Sequence, residues 1–133
     1  MKSRKKRGVE IKIPILNNEY KVVVCWGKSD YILKILKDYH YEDVDLRYVN
    51  EALENRRGVT FRKDRCFPVI ALPKKPHSPE QIGSLAHEAC HAVKEIFDYI
   101  QEREIDEVFA HSVGAVVREV LKSTKEVSES EKQ

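Results

Sequence analysis

His87, Glu88 and His91 stand in the stretch "SLAHEACHAVKEIFDYI", Ser84 to Ile100, and form the pattern H-E-x-x-H. On a helix, side chains four residues apart emerge one turn apart on one face. Neutral imidazoles on that face can share one zinc ion, each at about 2.0–2.1 Å. Glu88, beside His87 at the edge of the face, reaches a metal-bound water but not easily the metal. A carboxylate so placed takes the proton as water attacks a carbonyl, then passes it to the leaving amine. The spacing therefore suits metal-assisted hydrolysis of an amide. The plain alternative is two surface histidines on an amphipathic helix.

A helix must carry these residues, and its start is well specified. Ser78 is the predicted N-cap, Pro79 takes the first helical position and Gln81 completes a capping box. Glu80 favours the positive end of the helix dipole. The helix is expected to run to about Ile100 or Gln101. Leu85, Ala86, Ala89, Cys90, Val93, Ile96 and Phe97 form its expected core stripe. Cys90 then reads as a small buried hydrophobe pointing away from the histidines.

A catalytic zinc needs a third protein ligand and an open position. Downstream candidates are Glu102, Glu104, Asp106, Glu107 and His111. The last helix is expected over Arg103 to Leu121, with Ile105, Phe109, Val113, Val116 and Val120 as its apolar stripe. Glu107, His111 and Gly114 share a neighbouring face, where a glycine lets another helix approach. Glu107 and His111 are therefore the serious candidates. Straight antiparallel helices set His91 opposite His111, whereas crossed helices bring Glu107 within reach. Spacing leaves both open.

The rest of the chain must hold that helix. "VEIKIPIL", Val9 to Leu16, alternates as a half-buried strand, Asn17-Asn18-Glu19 turns, and "YKVVVCW", Tyr20 to Trp26, returns as a hairpin partner. Ser29 or Asp30 is expected to cap a helix with Ile32, Leu33, Ile35 and Leu36 on its apolar face. A second helix follows, around Asp43 to Asn55, with Gly58 as a possible stop. Val59 to Arg62 and Phe67 to Pro73 are short strands. The second lacks alternation, as expected of a strand covered on both faces, and Pro68 and Pro73 suit an edge or an abrupt end. The fold class is thus α+β: a small mixed β-sheet, made of an N-terminal hairpin and two short strands, packed on helices.

At 133 residues the chain fits one domain. The expected division is a basic tail at 1–7, a single domain at 8–121 and a disordered polar tail at 122–133. The net charge is +2, and the first tail alone carries five positive charges while the last is neutral, so residues 8–121 stand at −3. The basic balance belongs to an arm, which argues against nucleic acid as a partner of the folded part. Three cysteines, no C-x-x-C and no secretory signal fit a reducing cytoplasm. No apolar run approaches the ~18 residues of a membrane span.

"GVTFR…FPVIALP…SPEQIGSLAHEACHAV…DEVFAHSVGAVVREVL" resembles small phage- and prophage-encoded metallopeptidases of the gluzincin-like H-E-x-x-H type. Their pattern is a strand, an L-x-H-E-x-x-H helix and a D-E-x-F-A-Y-type helix. The resemblance covers about residues 58 to 121. It implies a minimal zincin-like core, Zn2+ as cofactor, His87, His91 and Glu107 as ligands, and Glu88 as general base. It also implies that Val69, Ile70, Ala71 and Leu72 line the substrate cleft, where a peptide pairs as an added strand. His111 replaces the tyrosine of the pattern. That histidine suits stabilising the oxyanion, orienting a ligand, displacing Glu107, or a plain surface role.

Two functions compete on these grounds. One is a zinc-dependent metallopeptidase acting on a protein or peptide in the cytoplasm, the host's if phage-encoded. The other is a non-catalytic zinc-binding interaction protein. A regulator binding nucleic acid through the "KSRKKR" arm is a weaker third.

Overall fold

The computed structural model describes residues 8–12, 20–55, 57–63, 66–99 and 106–132, with side chains excluded at 55, 99, 106–108 and 125–132. In chain order the elements are β1 (Gly8–Lys12), β2 (Lys21–Trp26), α1 (Ser29–Asp38), α2 (Leu46–Asn55), β3 (Val59–Phe61), β4 (Val69–Leu72), α3 (Pro79–Tyr99) and α4 (Asp106–Lys132). The fold is α+β, with a mixed four-stranded sheet in the order β1-β2-β4-β3. β1 and β2 form the expected antiparallel hairpin, Gly8 facing Cys25 and Lys12 facing Lys21. The expected end of the first strand and the turn at residues 17–19 lie outside the described residues. β2 runs parallel to β4, and β4 antiparallel to β3.

Side-chain alternation along the strands builds two cores. Val22, Val24, Trp26, Ile70 and Leu72 pack with Leu85, Ala89, Val93, Phe97 and Val116 of α3 and α4. Val23, Cys25, Val69, Ala71, Val59 and Phe61 pack on the other face with Ile32, Leu36 and Val49 of α1 and α2. Burial of β4 on both faces explains why its sequence does not alternate. It is an inner strand, so Pro68 and Pro73 bound it without making it an edge. The edge beside it is β3.

Local details set where β3 lies. Lys28, not Ser29 or Asp30, occupies the N-cap of α1, with no side-chain cap bond. α1 ends in a Schellman arrangement: Tyr41 N–H donates to Leu36 O and His40 N–H to Lys37 O, with His40 at φ 73°. This turn buries Tyr41, whose hydroxyl lies 3.0 Å from Phe61 O and 2.8 Å from Phe67 O. One hydroxyl thus ties the end of β3 to the approach to β4. α2 starts at an Asp45 cap, its Oδ1 accepting from Tyr48 N–H at 2.8 Å.

The structure corrects several sequence expectations. Gly58 is no left-handed helix stop, since Gly27 carries the positive glycine φ among the described residues. A Cβ on Gly58 would instead stand 2.9 Å from Leu72 Cδ2 and 3.3 Å from Glu88 Cγ, so it is a close-approach glycine. Gly114 is the reverse: a Cβ there meets nothing within 4 Å, so it provides no helix-packing notch among the described residues. Cys90 is exposed rather than part of the core stripe. The stripe runs through Leu85, Glu88, Ala89, Ala92, Val93, Ile96 and Phe97, and position 90 turns past its edge. Helix α4 continues to Lys132 and buries Ser123 and Thr124, where a polar tail was expected from residue 122. No helix among the described residues is long and apolar enough to cross a membrane.

Burial pushes the Cys25 thiol up from 9.0 to about 12. Below about pH 9 it is neutral in both states, and its contribution to stability is fully present. Between about 9 and about 12 the unfolded chain releases the proton while the folded chain retains it. Stability should therefore fall over that window, by roughly 1.4 kcal/mol per pH unit at most from this group. Thermal melts of wild type beside Cys25→Val check this. The variant should lose less stability across the window, and identical slopes would show that Cys25 plays no part.

Candidate metal centre

α3 begins as its sequence dictates. Gln81 N–H donates to Ser78 Oγ and Ser78 N–H to Gln81 Oε1, both at 3.2 Å, a reciprocal capping box. His77 N–H adds a bond to the same Gln81 Oε1 at 3.1 Å. The helix is thereby fixed in phase two turns before the histidines.

His87 and His91 converge as four-residue spacing requires. Their Nε2 atoms are 3.3 Å apart and their rings stand at 82°. Two nitrogens at that separation, each ~2.05 Å from one ion, subtend ~107°, close to the tetrahedral value. The separation of the two donors therefore suits a zinc ion. Without an ion the same separation lets one imidazole donate to the other.

Glu88 is not at the open edge of the histidine face. It is only 9% exposed and turns toward β3. Its Oε2 lies 4.0 Å from His87 Nε2. Thr60 Oγ1 approaches Glu88 from β3, 2.8 Å from Oε1 and 3.1 Å from the main-chain O, and donates to this pair. Gly58, two residues before Thr60 and just ahead of β3, leaves room for the Glu88 Cγ. One carboxylate oxygen is thus held by the sheet while the other points toward the histidines.

These groups line a cleft of about 650 Å³ between α3 and β3. Arg57, Gly58, Thr60 and Arg62 form one wall; Glu80, Gly83 and Ser84 extend the α3 wall beyond His87, Glu88 and His91. Sequence reasoning missed Thr60. The signal was present: Val59 and Phe61 are apolar and Thr60 alternates with them, so it must face the opposite helix layer.

The other expected site residues fare differently. Val69, Ile70, Ala71 and Leu72 are at most 2% exposed, and β4 is hydrogen-bonded to β2 and β3. A peptide cannot add to a strand whose two edges are taken, and none of the four residues lines the cleft between α3 and β3. His111 is exposed on α4 and does not line the cleft. The Glu107 backbone belongs to the first turn of α4, and its side chain lies outside the described residues. The Phe97 and Phe109 rings meet edge to face at 5.9 Å, which sets the start of α4 against the end of α3. That contact lies ~9 Å along the helix from His91, at ~1.5 Å per residue. Glu102 and Glu104 lie outside the described residues. Among the described residues no group of three or more His, Cys, Asp or Glu is placed to hold a metal ion.

No protein-family model, no curated protein and no solved structure matches the chain.

Proposed function

We propose that this protein is a zinc-dependent metallopeptidase that hydrolyses peptide bonds of a protein or peptide substrate. The observation that carries the reading is the pair of Nε2 atoms at 3.3 Å with the Glu88 carboxylate 4.0 Å from His87, facing an open cleft. The resemblance of "HEACH" and "DEVFA" to small phage metallopeptidases supports it.

His87 and His91 would hold the ion, with Glu107 as the third ligand suggested by that resemblance. When bound, zinc supplies Lewis acidity and lowers the pKa of water. Glu88 accepts the proton of the attacking water and returns it to the leaving amine. Thr60 keeps the Glu88 carboxylate from rotating away, because its hydroxyl engages Oε1. The substrate main chain pairs with the edge of β3 that is open among the described residues, which brings a peptide carbonyl alongside α3.

Metal content of the purified, zinc-reconstituted protein tests the centre. Wild type should hold one zinc, His91→Ala and Glu107→Ala should each lose stoichiometric binding, while His111→Ala should retain it. A wild type without stoichiometric metal would sink the proposal. Loss of metal in His111→Ala rather than Glu107→Ala would reassign the third ligand.

A further inference from the structure

The cleft that holds His87, Glu88 and His91 lies on the α3 face of β3. A second cleft of about 570 Å³ lies on the α2 face of the same strand, and Thr60 and Arg62 line both. β3 ends the sheet, paired with β4 alone among the described residues. Its free edge therefore runs between two clefts, one for each face of the sheet.

A strand added to that edge projects successive side chains to opposite faces, about 3.3 Å apart along the chain. When one residue stands over the histidines, its neighbour must enter the second cleft. The chemistry of that cleft selects what fits. Several of its polar groups are already engaged: Asp45 caps α2, Asp43 pairs with Lys63 at 3.5 Å, and the Tyr41 hydroxyl lies within bonding distance of two carbonyls. Beside these stand the Arg62 guanidinium and Tyr48, 55% exposed, its ring edge to face with Phe61 at 6.0 Å and Val44 beside it. An open aromatic ring beside a guanidinium offers stacking and contact area to a large apolar side chain, an aromatic one above all.

We propose that the α2-side cleft is a side-chain pocket for the same peptide, taking a large apolar or aromatic residue next in sequence to the one over His87, Glu88 and His91. The inference rests on the peptide reading above and adds its specificity: the far wall of the pocket is the segment from Tyr41 to Tyr48, which leads into α2 and does not line the cleft of His87, Glu88 and His91.

The test uses zinc-loaded, ¹⁵N-labelled Glu88→Gln protein, which keeps peptides uncut. The probes are a short capped alanine peptide with one central phenylalanine and its serine counterpart. The phenylalanine peptide should shift amide resonances of Thr60, Arg62 and the Val44–Tyr48 segment. Tyr48→Ser should weaken it about tenfold, as loss of one aromatic contact implies, leave the serine peptide unchanged, and be rescued by Tyr48→Phe. Shifts confined to β3, no shifts at all, or an affinity indifferent to Tyr48 would overturn the inference. Failure of the peptidase reading is separately visible. A Tyr48-dependent complex with a wild type that cleaves nothing leaves the pocket standing without hydrolysis, and zinc-dependent cleavage indifferent to Tyr48 does the opposite.

Discussion

Glu88→Gln is expected to lower peptide hydrolysis by about 10²–10⁴-fold, the usual contribution of a positioned general base. Zinc content should stay at the wild-type level. The reasoning is geometric. Glu88 faces β3 rather than the midpoint of the two imidazoles, so it is not needed to hold an ion. The carboxamide has the same size, and its oxygen still accepts from Thr60, so the fold is preserved. What is lost is the ability to take a proton. The measurement pairs metal analysis with cleavage of a broad peptide mixture by both proteins. A variant that cleaves as fast as wild type would remove Glu88 from its role. A wild type that binds zinc yet cleaves nothing would favour the non-catalytic zinc protein.

Gly58→Ala is expected to damage stability and activity together. Two effects oppose each other. Replacing glycine restricts the unfolded chain and stabilises by about 0.4–1 kcal/mol where the backbone is compatible, and here no positive φ stands in the way. Against this, the new Cβ would stand 2.9 Å from Leu72 Cδ2 and 3.3 Å from Glu88 Cγ. Leu72 is 2% exposed within the α3 core and has nowhere to swing. Overpacking of this kind costs about 1–3 kcal/mol, so the clash wins. The relief available is to push Glu88 away from Thr60, which would lower turnover while zinc remains bound. Thermal melts, metal content and cleavage rates of the one variant check all three. A rise in melting temperature with activity intact would show that the close approach is unimportant.

The sequence was most legible where chemistry is local. The Ser78–Gln81 box, Pro79 at the helix start and the four-residue histidine spacing are properties of short segments, and each appears as read. The hairpin was readable from alternation. What escaped depends on partners distant in the chain. Nothing in "FPVIALP" says which strands flank it, and the parallel partner of Val69 is Val23. The inner position of β4 and the edge position of β3 both follow from that pairing. Gly58 was misread for the same reason: its neighbours, Leu72 and Glu88, arrive from elements still to come. Cys90 failed differently. An apolar-looking letter beside Ala89 was given to the stripe, although one step around the helix carries it to solvent.

The Thr60–Glu88 bond has a consequence for the order in which the molecule assembles. His87 and His91 belong to one turn of α3, so the two imidazoles are brought together by that helix alone. The orientation of the Glu88 carboxylate depends on Thr60, 28 residues earlier in the chain, and Thr60 is held in place by the pairing of β3 with β4 and of β4 with β2. A chain whose sheet is still open therefore has its histidines paired while Glu88 lacks its Thr60 partner. Under the function proposed above, sheet closure would be the step that aligns the base.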